Sequence, residues 1–450
     1  MVGNAAQSPA VVALPRVSAA TDFPDADAFC EQVRTSAFFG PASPIAVARA
    51  PGRLDVIGGI ADYSGSLVLE LPLAAAALAA AQLGDDGSVV AVSGRRRITL
   101  GVDELVDSAP ADLASRFAGP AAWAAYVLGP IALFLREERA PVRGLRVLVS
   151  SEVPEAKGLG SSAAVGVSAV QAVAGCLGRA TEPRRLALLS QRAEQLLASA
   201  PCGSMDQMTA AYAERDHLLL LLCRPAEIVR SIRLPDGLAA WGIDSGVRHT
   251  IAGKAYRRAR CAAFMGKTLL GCGEEYLTEL DPAEIDVARL PEQLTGADFL
   301  ARHGALDDPT CPIEPETVYP VRTATMYPIE EHRRVGAFVS LLAQPLTDRR
   351  ARLLGELLYE AHEGYTRCGL GTEATDALVG AVRRAGWEQG LAGARASAGG
   401  SGGTVVVLGR SDAEPLVERI AAELGAGFFG GSSGGAAGFG VRMVEADPPR

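Results

Sequence analysis

The 450-residue sequence predicts a mixed helix-and-strand chain of two or three domains. Its length leaves room for separate cores, and 48% apolar with 21% charged residues is a globular balance. Apolar, β-branched runs crowd the first half, the second half is more helical, and the change falls near Leu238.

In chain order, residues 1 to about 20 are small and polar and read as a loose leader. Phe23 to Phe39 has helical spacing through Phe29, Val33 and Phe38. Ile45 to Ala50 reads as a strand broken by Pro51-Gly52, with more strand at Leu54 to Gly59 and Leu67 to Leu73 around the turn residues Asp62 to Gly65. Short strands are expected at Ser88 to Val92, Ile98 to Val102 and Leu145 to Val149, and a helix at Trp123 to Leu135. Arg184 to Ser199 places Leu186, Leu189, Ala193, Leu196 and Leu197 on one face of an amphipathic helix. Pro201-Cys202-Gly203 breaks it before a short helix, Met205 to Ala213; Leu218 to Cys223 and Leu238 to Asp244 read as strands. Helices are expected at Ala255 to Leu270, Ile329 to Leu342, Arg350 to Tyr365, Thr372 to Arg384 and Asp412 to Leu424. A glycine-rich segment, Ala398 to Gly403, precedes the strand Thr404 to Leu408, and Gly430 to Gly438 reads as a loop before a last strand, Val441 to Val444.

Composition narrows the function classes. Net charge is −9 and the only basic run is Arg95-Arg96-Arg97, so nucleic acid is not an expected partner. The eight cysteines show no Cys-x-x-Cys and no paired Cys/His spacing, which argues against structural zinc or a disulfide framework and fits a reducing cytoplasm. No signal peptide is evident, and the Ala-rich run Leu71 to Leu83 is too short to span a bilayer; a buried strand followed by a helix accounts for it, and no membrane association is expected.

The chemistry centres on Pro154 to Ala164, where Gly158-Leu159-Gly160-Ser161-Ser162-Ala163 links a strand to an Ala/Val-rich helix ending near Leu177. Free N–H groups and the positive end of a helix dipole make such a junction an anion site, and glycines let a phosphate approach the backbone. Taken alone, Ser-Ser ahead of alanines also satisfies helix capping. The loop is neither a Walker A motif nor a dinucleotide fingerprint, because it lacks Gly-Lys-Ser/Thr and a third glycine.

Two further groups accompany it: Pro51-Gly52-Arg53-Leu54-Asp55 with Asp62-Tyr63, and Glu194 with Pro201-Cys202-Gly203-Ser204-Met205-Asp206-Gln207. Together with the late glycine segment they resemble the GHMP kinases, from about Pro44 to Glu445. Pro-Gly-Arg paired with Pro-Cys-Gly-x-Met-Asp-Gln, Trp123 to Val127, and Arg248-His249 with Tyr256 are similar to the galactokinase branch. Gly52 to Ser66, Trp241 to His249 and Cys368 to Gly371 resemble the L-arabinokinase family within it, whose plant members also carry a glycosyltransferase-like half that 450 residues have no room to contain.

The resemblance implies an α+β fold of two domains, at 21–238 and 239–450, with the active-site cleft between them. It implies ATP as co-substrate, bound by Gly158, Leu159, Gly160, Ser161, Ser162 and Ala163, and Mg2+ held by Ser162 and Glu194, a carboxylate twelve residues before Asp206. Asp206 would accept or orient the proton of a sugar's anomeric hydroxyl, with Arg53 stabilising developing charge; Asp62, Gly59, Ile60, Gly203, Asp206 and Tyr256 would meet the sugar. The late glycine segment would pack on the nucleotide phosphates, and Ser93 to Arg97 is a guess for adenine. Each residue has a plainer reading: Glu194 as a solvated helix residue, Asp206 as a cap, Tyr256 as a core aromatic, Arg53 as a turn residue. Their joint order and spacing favour the kinase.

Galactokinases carry an acidic residue and a histidine where this chain has Gly59 and Ile60, and those side chains face the sugar's hydroxymethyl end. An apolar wall there suits L-arabinopyranose, which has the ring configuration of D-galactose without the hydroxymethyl group; glycine at 59 could instead leave room for galactose. The expectation is an ATP- and magnesium-dependent L-arabinose 1-kinase. A galactokinase or uronic-acid 1-kinase is the alternative, and a non-catalytic sugar sensor is a further one.

Overall fold

The computed structural model describes residues 23–247, 253–306, 308 and 311–448. The leader at 1–20 and Arg248-His249 lie outside the described residues.

The chain opens with α1 (Pro24–Arg34), whose Ala26, Phe29 and Val33 are buried. Next comes β1 (Ile45–Ile57), buried along its whole length. It does not break at Pro51-Gly52: a register shift against the next strand between Pro51 and Arg53 absorbs the proline. β2 (Leu67–Leu83) is one strand of 17 residues. The expected helix in its alanine-rich half does not form. Ala77 to Ala81 pair with β1 on one side and with β5 (below) on the other, so ladder hydrogen bonds and burial override alanine's helix propensity. β3 (Ser88–Ser93) and β4 (Arg96–Gly101) form a hairpin. Then follow α2 (Val102–Asp107), α3 (Pro110–Arg116), α4 (Ala122–Glu138), β5 (Leu145–Ser151), α5 (Ser161–Cys176), α6 (Pro183–Leu197), α7 (Met205–Tyr212), β6 (His217–Leu222) and β7 (Glu227–Arg233).

The second half begins with β8 (Leu238–Asp244) and α8 (Lys254–Leu270), then β9 (Leu294–Thr295), α9 (Gly296–His303) and β10 (Val318–Tyr319). Three long helices follow, α10 (Val321–Leu342), α11 (Asp348–Arg367) and α12 (Glu373–Ala385), before β11 (Leu391–Ala396), β12 (Thr404–Arg410), α13 (Glu414–Glu423), β13 (Gly427–Phe429), α14 (Ala436–Phe439) and β14 (Arg442–Val444).

The larger sheet runs β14-β1-β2-β5-β3-β4, with β6 on β2 and β7 on β6. Its final strand therefore returns from the far end of the chain. Leu128, Ile131, Val170, Val173, Leu186 and Leu189 of α4, α5 and α6 pack on Ala79, Ala81, Val89 and Val147 of the sheet. The second sheet, β11-β12-β8-β13, is antiparallel and covered by Tyr359, Val379, Val382, Val417 and Ile420. The two sheets share a core: Leu54 and Leu71 of the first lie in one buried cluster with Val406 and Leu408 of the second and with Phe338 and Leu354. No single helix among the described residues is long and apolar enough to cross a membrane.

Candidate active site

The phosphate loop closes on β1. Arg53 N–H donates to the Leu159 carbonyl at 2.9 Å, and a Cβ on Gly52 would lie 2.7 Å from that oxygen. Only glycine lets the two backbones meet there. Gly158 and Gly160 both take φ +69, and Gly160 turns the chain into α5. The first N–H groups of α5, from Ser161, Ser162 and Ala163, have no acceptor within the helix, and such an end is suited to an anion. Lys157 Nζ reaches Asp244 of β8 at 2.8 Å, and Thr404 Oγ1 donates to the Lys157 carbonyl at 2.8 Å, so the loop is tied to the second sheet.

Beside the loop lies the buried pair expected from sequence. Arg53, 1% exposed, donates through Nη2 at 2.6 Å and Nε at 3.1 Å to Asp206 Oδ1, and through Nη1 to the Gly158 carbonyl at 2.5 Å. A Cβ at Gly160 would lie 3.6 Å from Asp206 Oδ2, so the carboxylate faces the end of the phosphate loop. Arg53 Nε also lies 3.2 Å from Glu70 Oε2.

Glu194 is buried on α6, not solvated. Gln207 Nε2 donates to its carboxyl group, and Ser162 lines the same pocket. Burial pushes its pKa up to about 7, opposed by Ser162 and Gln207. A buried carboxyl beside a hydroxyl at the mouth of a phosphate site suits a hard cation. Among the described residues no group of three or more His, Cys, Asp or Glu could hold a metal by itself. The donor set therefore fits an ion that takes most of its ligands from phosphates and water, which is the habit of Mg2+.

Two pockets meet at Arg53 and Asp206. The larger, about 1330 Å3 with its mouth, is lined by the phosphate loop, Glu194, Ser93, Arg96, Trp123 and Tyr126. The Arg96 guanidinium lies 5.7 Å from the Trp123 ring centre. The smaller, about 310 Å3, is lined by Ile60, Asp62, Cys202, Gly203, Tyr256, Ala398 and Gly399. Asp62 is 3% exposed, its Oδ1 has no hydrogen-bond partner, and burial pushes its pKa up to about 7, against the nearby Arg260 guanidinium. Gly203 packs on Asp62 so closely that a Cβ would overlap the carboxylate. Tyr256 is held by a 3.4 Å bond to the Pro201 carbonyl, which also accepts from Arg260 at 3.0 Å.

The candidate residues thus gather around one centre, with two departures. Gly59 packs beneath Tyr365 and does not line the small pocket. Ala398 and Gly399 of the late glycine segment border that pocket and not the phosphate cleft. Sequence reading assigned nothing to Glu70, Arg260, Tyr365 or Arg395. A signal existed for two of them: Glu70 and Arg395 are lone charges inside otherwise apolar strands.

Residues 125–214 match the GHMP kinases N terminal domain, and residues 36–83 match the galactokinase galactose-binding signature. The chain is 35% identical over 92% of its length to an L-arabinokinase from Arabidopsis thaliana, of which it spans 48%. It is 32% identical over 86% of its length to the galactokinase of Chloroflexus aggregans, covering 88% of that protein, and 30% identical over 82% to that of Streptomyces coelicolor, covering 85%. In fold it is similar to Lactococcus lactis galactokinase complexed with galactose, at a TM-score of 0.70 and 18% identity over 94% of this chain and 100% of that one. Methanococcus jannaschii mevalonate kinase follows the same fold at 0.59 and 14%, over 86% and 98%. With galactokinases at 30–32% identity matched along most of their length, and a phosphate loop that opens onto a buried Arg–Asp pair, the chain is a sugar kinase of the GHMP family, in its galactokinase branch.

Proposed function

We propose that the chain transfers the γ-phosphoryl group of ATP to the anomeric hydroxyl of L-arabinose, giving L-arabinose 1-phosphate. GHMP kinases take ATP as co-substrate. The observation that carries the choice of sugar is the wall of the small pocket at Ile60, which is apolar; behind it, the space over Gly59 is filled by Tyr365, so position 59 adds no polar group. A hydroxymethyl group facing that wall would lose hydrogen bonds it makes in water, a penalty of roughly 1–3 kcal/mol against D-galactose.

On this reading the sugar occupies the small pocket and the triphosphate reaches the same centre along the phosphate loop, with adenine toward Trp123 and Arg96. Asp206 accepts or orients the proton of the anomeric hydroxyl. Arg53 fixes that carboxylate through two hydrogen bonds and offers positive charge where it develops. The N–H groups of Ser161, Ser162 and Ala163 receive phosphate oxygens. Ser162 and Glu194 would hold Mg2+, which neutralises phosphate charge when bound. Asp62, with one oxygen unpartnered, takes a ring hydroxyl.

A galactokinase is the second reading, supported by the galactokinase relatives and the galactose-binding signature. ADP release with Mg2+-ATP against L-arabinose, D-galactose, D-glucuronate, D-galacturonate and L-fucose separates the readings, with Asp206→Ala as the blank. L-Arabinose is expected to lead. D-Galactose in first place would retain the kinase and reject the pentose. ATP binding without turnover of any sugar would point to a sensor.

A further inference from the structure

Tyr365, near the end of α11, is fully buried. Its hydroxyl accepts from Ile60 N–H at 3.0 Å and donates to the Ala398 carbonyl. Ile60 and Ala398 both line the small pocket, and they come from opposite ends of the chain. A Cβ built on Gly59 would overlap the Tyr365 hydroxyl and lie 2.6 Å from Arg395 Nη2. Glycine at 59 therefore leaves no spare room: tyrosine occupies the volume that a side chain would take.

The ring is fixed on several sides. Tyr327 meets it edge-on at 5.5 Å between centres, and the Arg395 guanidinium lies 4.9 Å from its centre. A Cβ at Gly400 would come within 2.7 Å of Tyr365 Cδ1. Arg395 is paired with Asp55 at 3.0 Å, and Asp55 also accepts from the N–H groups of Gly59 at 3.1 Å and Ala398 at 2.8 Å. The same two chain segments that Tyr365 bridges are thus joined again beneath it, and the hydroxyl has no direction in which to yield.

We propose that Tyr365 is a specificity-determining residue of the sugar pocket. It stands behind the pocket wall: it fills the space that a side chain at position 59 would take, and its hydroxyl itself satisfies the donor of Ile60 and the acceptor of Ala398 that an exocyclic hydroxyl could use. The pocket then accepts a pentopyranose and rejects the same ring bearing one more carbon. This rests on the pentose reading above. Tyr365 acts on the shape of the site and does not touch reacting atoms.

Wild-type enzyme gives the first test without any substitution. D-Fucose has the L-arabinose ring with a methyl group in place of hydroxymethyl, and a filled wall rejects both hexoses. Its kcat/KM is expected at least about tenfold below that of L-arabinose, the weight of one lost contact or hydrogen bond. Tyr365→Phe removes one oxygen and frees the Ile60 N–H and the Ala398 carbonyl; Tyr365→Leu opens more space. In either variant that keeps a cooperative thermal transition, the D-galactose to L-arabinose ratio of kcat/KM should rise about tenfold while KM for ATP holds. D-Fucose turned over as well as L-arabinose, or folded variants that lose both sugars equally, would overturn the inference and leave the pentose assignment standing. A wild-type preference for D-galactose would instead remove the pentose assignment, and this inference with it.

Discussion

The carboxyl group of Asp62 offers a direct measure of how dry the small pocket is. Burial pushes its pKa up to about 7, opposed by Arg260 and reinforced by Asp206, whereas an unfolded aspartate titrates near 4. Between these values folding takes up a proton. The stabilisation is complete below pH 4 and is lost as pH rises through about 7. Linkage across pH 5 to 8 gives a loss of about 2–3 kcal/mol from this one group. It is 3% exposed, so solvent screening removes little of that. Asp62→Asn cannot titrate and keeps the shape. Unfolding free energies of ligand-free wild type and variant from urea titrations at pH 5, 6, 7 and 8 should diverge by that amount from the acid to the alkaline end, in the variant's favour. Other buried carboxyl groups contribute equally to both curves and cancel. Parallel curves would refute the reasoning, because the pocket would then be wet enough to ionise Asp62 at its ordinary value. Saturating sugar should flatten the wild-type slope, since hydroxyl donors to the unpartnered Oδ1 favour the charged form.

Three further outcomes follow from the same geometry. Arg53→Met strands the Asp206 carboxylate beside an apolar side chain, which should cost about 3–5 kcal/mol in urea unfolding and abolish turnover. Trp123→Ala should raise KM for ATP about tenfold and leave KM for the sugar within about twofold, because the ring lines only the larger pocket. Glu70→Gln should change stability at pH 7 by less than about 1 kcal/mol, because burial and Asp55 raise the pKa of Glu70 far enough to favour its neutral form; a drop as large as that of Arg53→Met would show it to be charged.

Most elements could be read from hydrophobic period, and most of the site from motif. The failures have physical causes. The Ala77 to Ala81 stretch is a good helix former by propensity, yet it is sandwiched between two strands, and nothing local announces those partners. Pro51 lies within a strand that tolerates it through a register shift, a feature of the pair and not of the residue. Glu194 and Ser162 are 32 positions apart, and no local pattern joins them; the family resemblance alone does. Tyr365 reads as one more apolar position on an amphipathic helix. Its role depends on a hydrogen bond to Ile60, 305 residues earlier, and local pattern carries no information over that separation. The same contact decides what sequence had to leave open, namely whether glycine at 59 enlarges the pocket.

The unread residues also explain how so much charge can sit beneath the site. Arg53, Arg395, Asp55, Glu70 and Asp206 lie within one buried cluster, and Asp55 stands directly opposite Glu70 across β1 and β2. Like charges so placed repel, and neither oxygen of Glu70 has a hydrogen-bond partner. Burial and the facing Asp55 push the pKa of Glu70 up, toward its neutral form, which relieves that repulsion. The arrangement then divides the work. Arg53 holds Asp206 beside the phosphate loop, Arg395 and Asp55 hold the Ala398 segment against Gly59, and Glu70 lies between the pairs, 3.2 Å from Arg53 Nε. Such a cluster is worth little as stability, because pairing barely repays desolvation. Its return is geometric: Arg53 and Asp55, both on β1, tie Asp206 and the Ala398 segment to one strand, and neither can shift without exposing an unpaired charge.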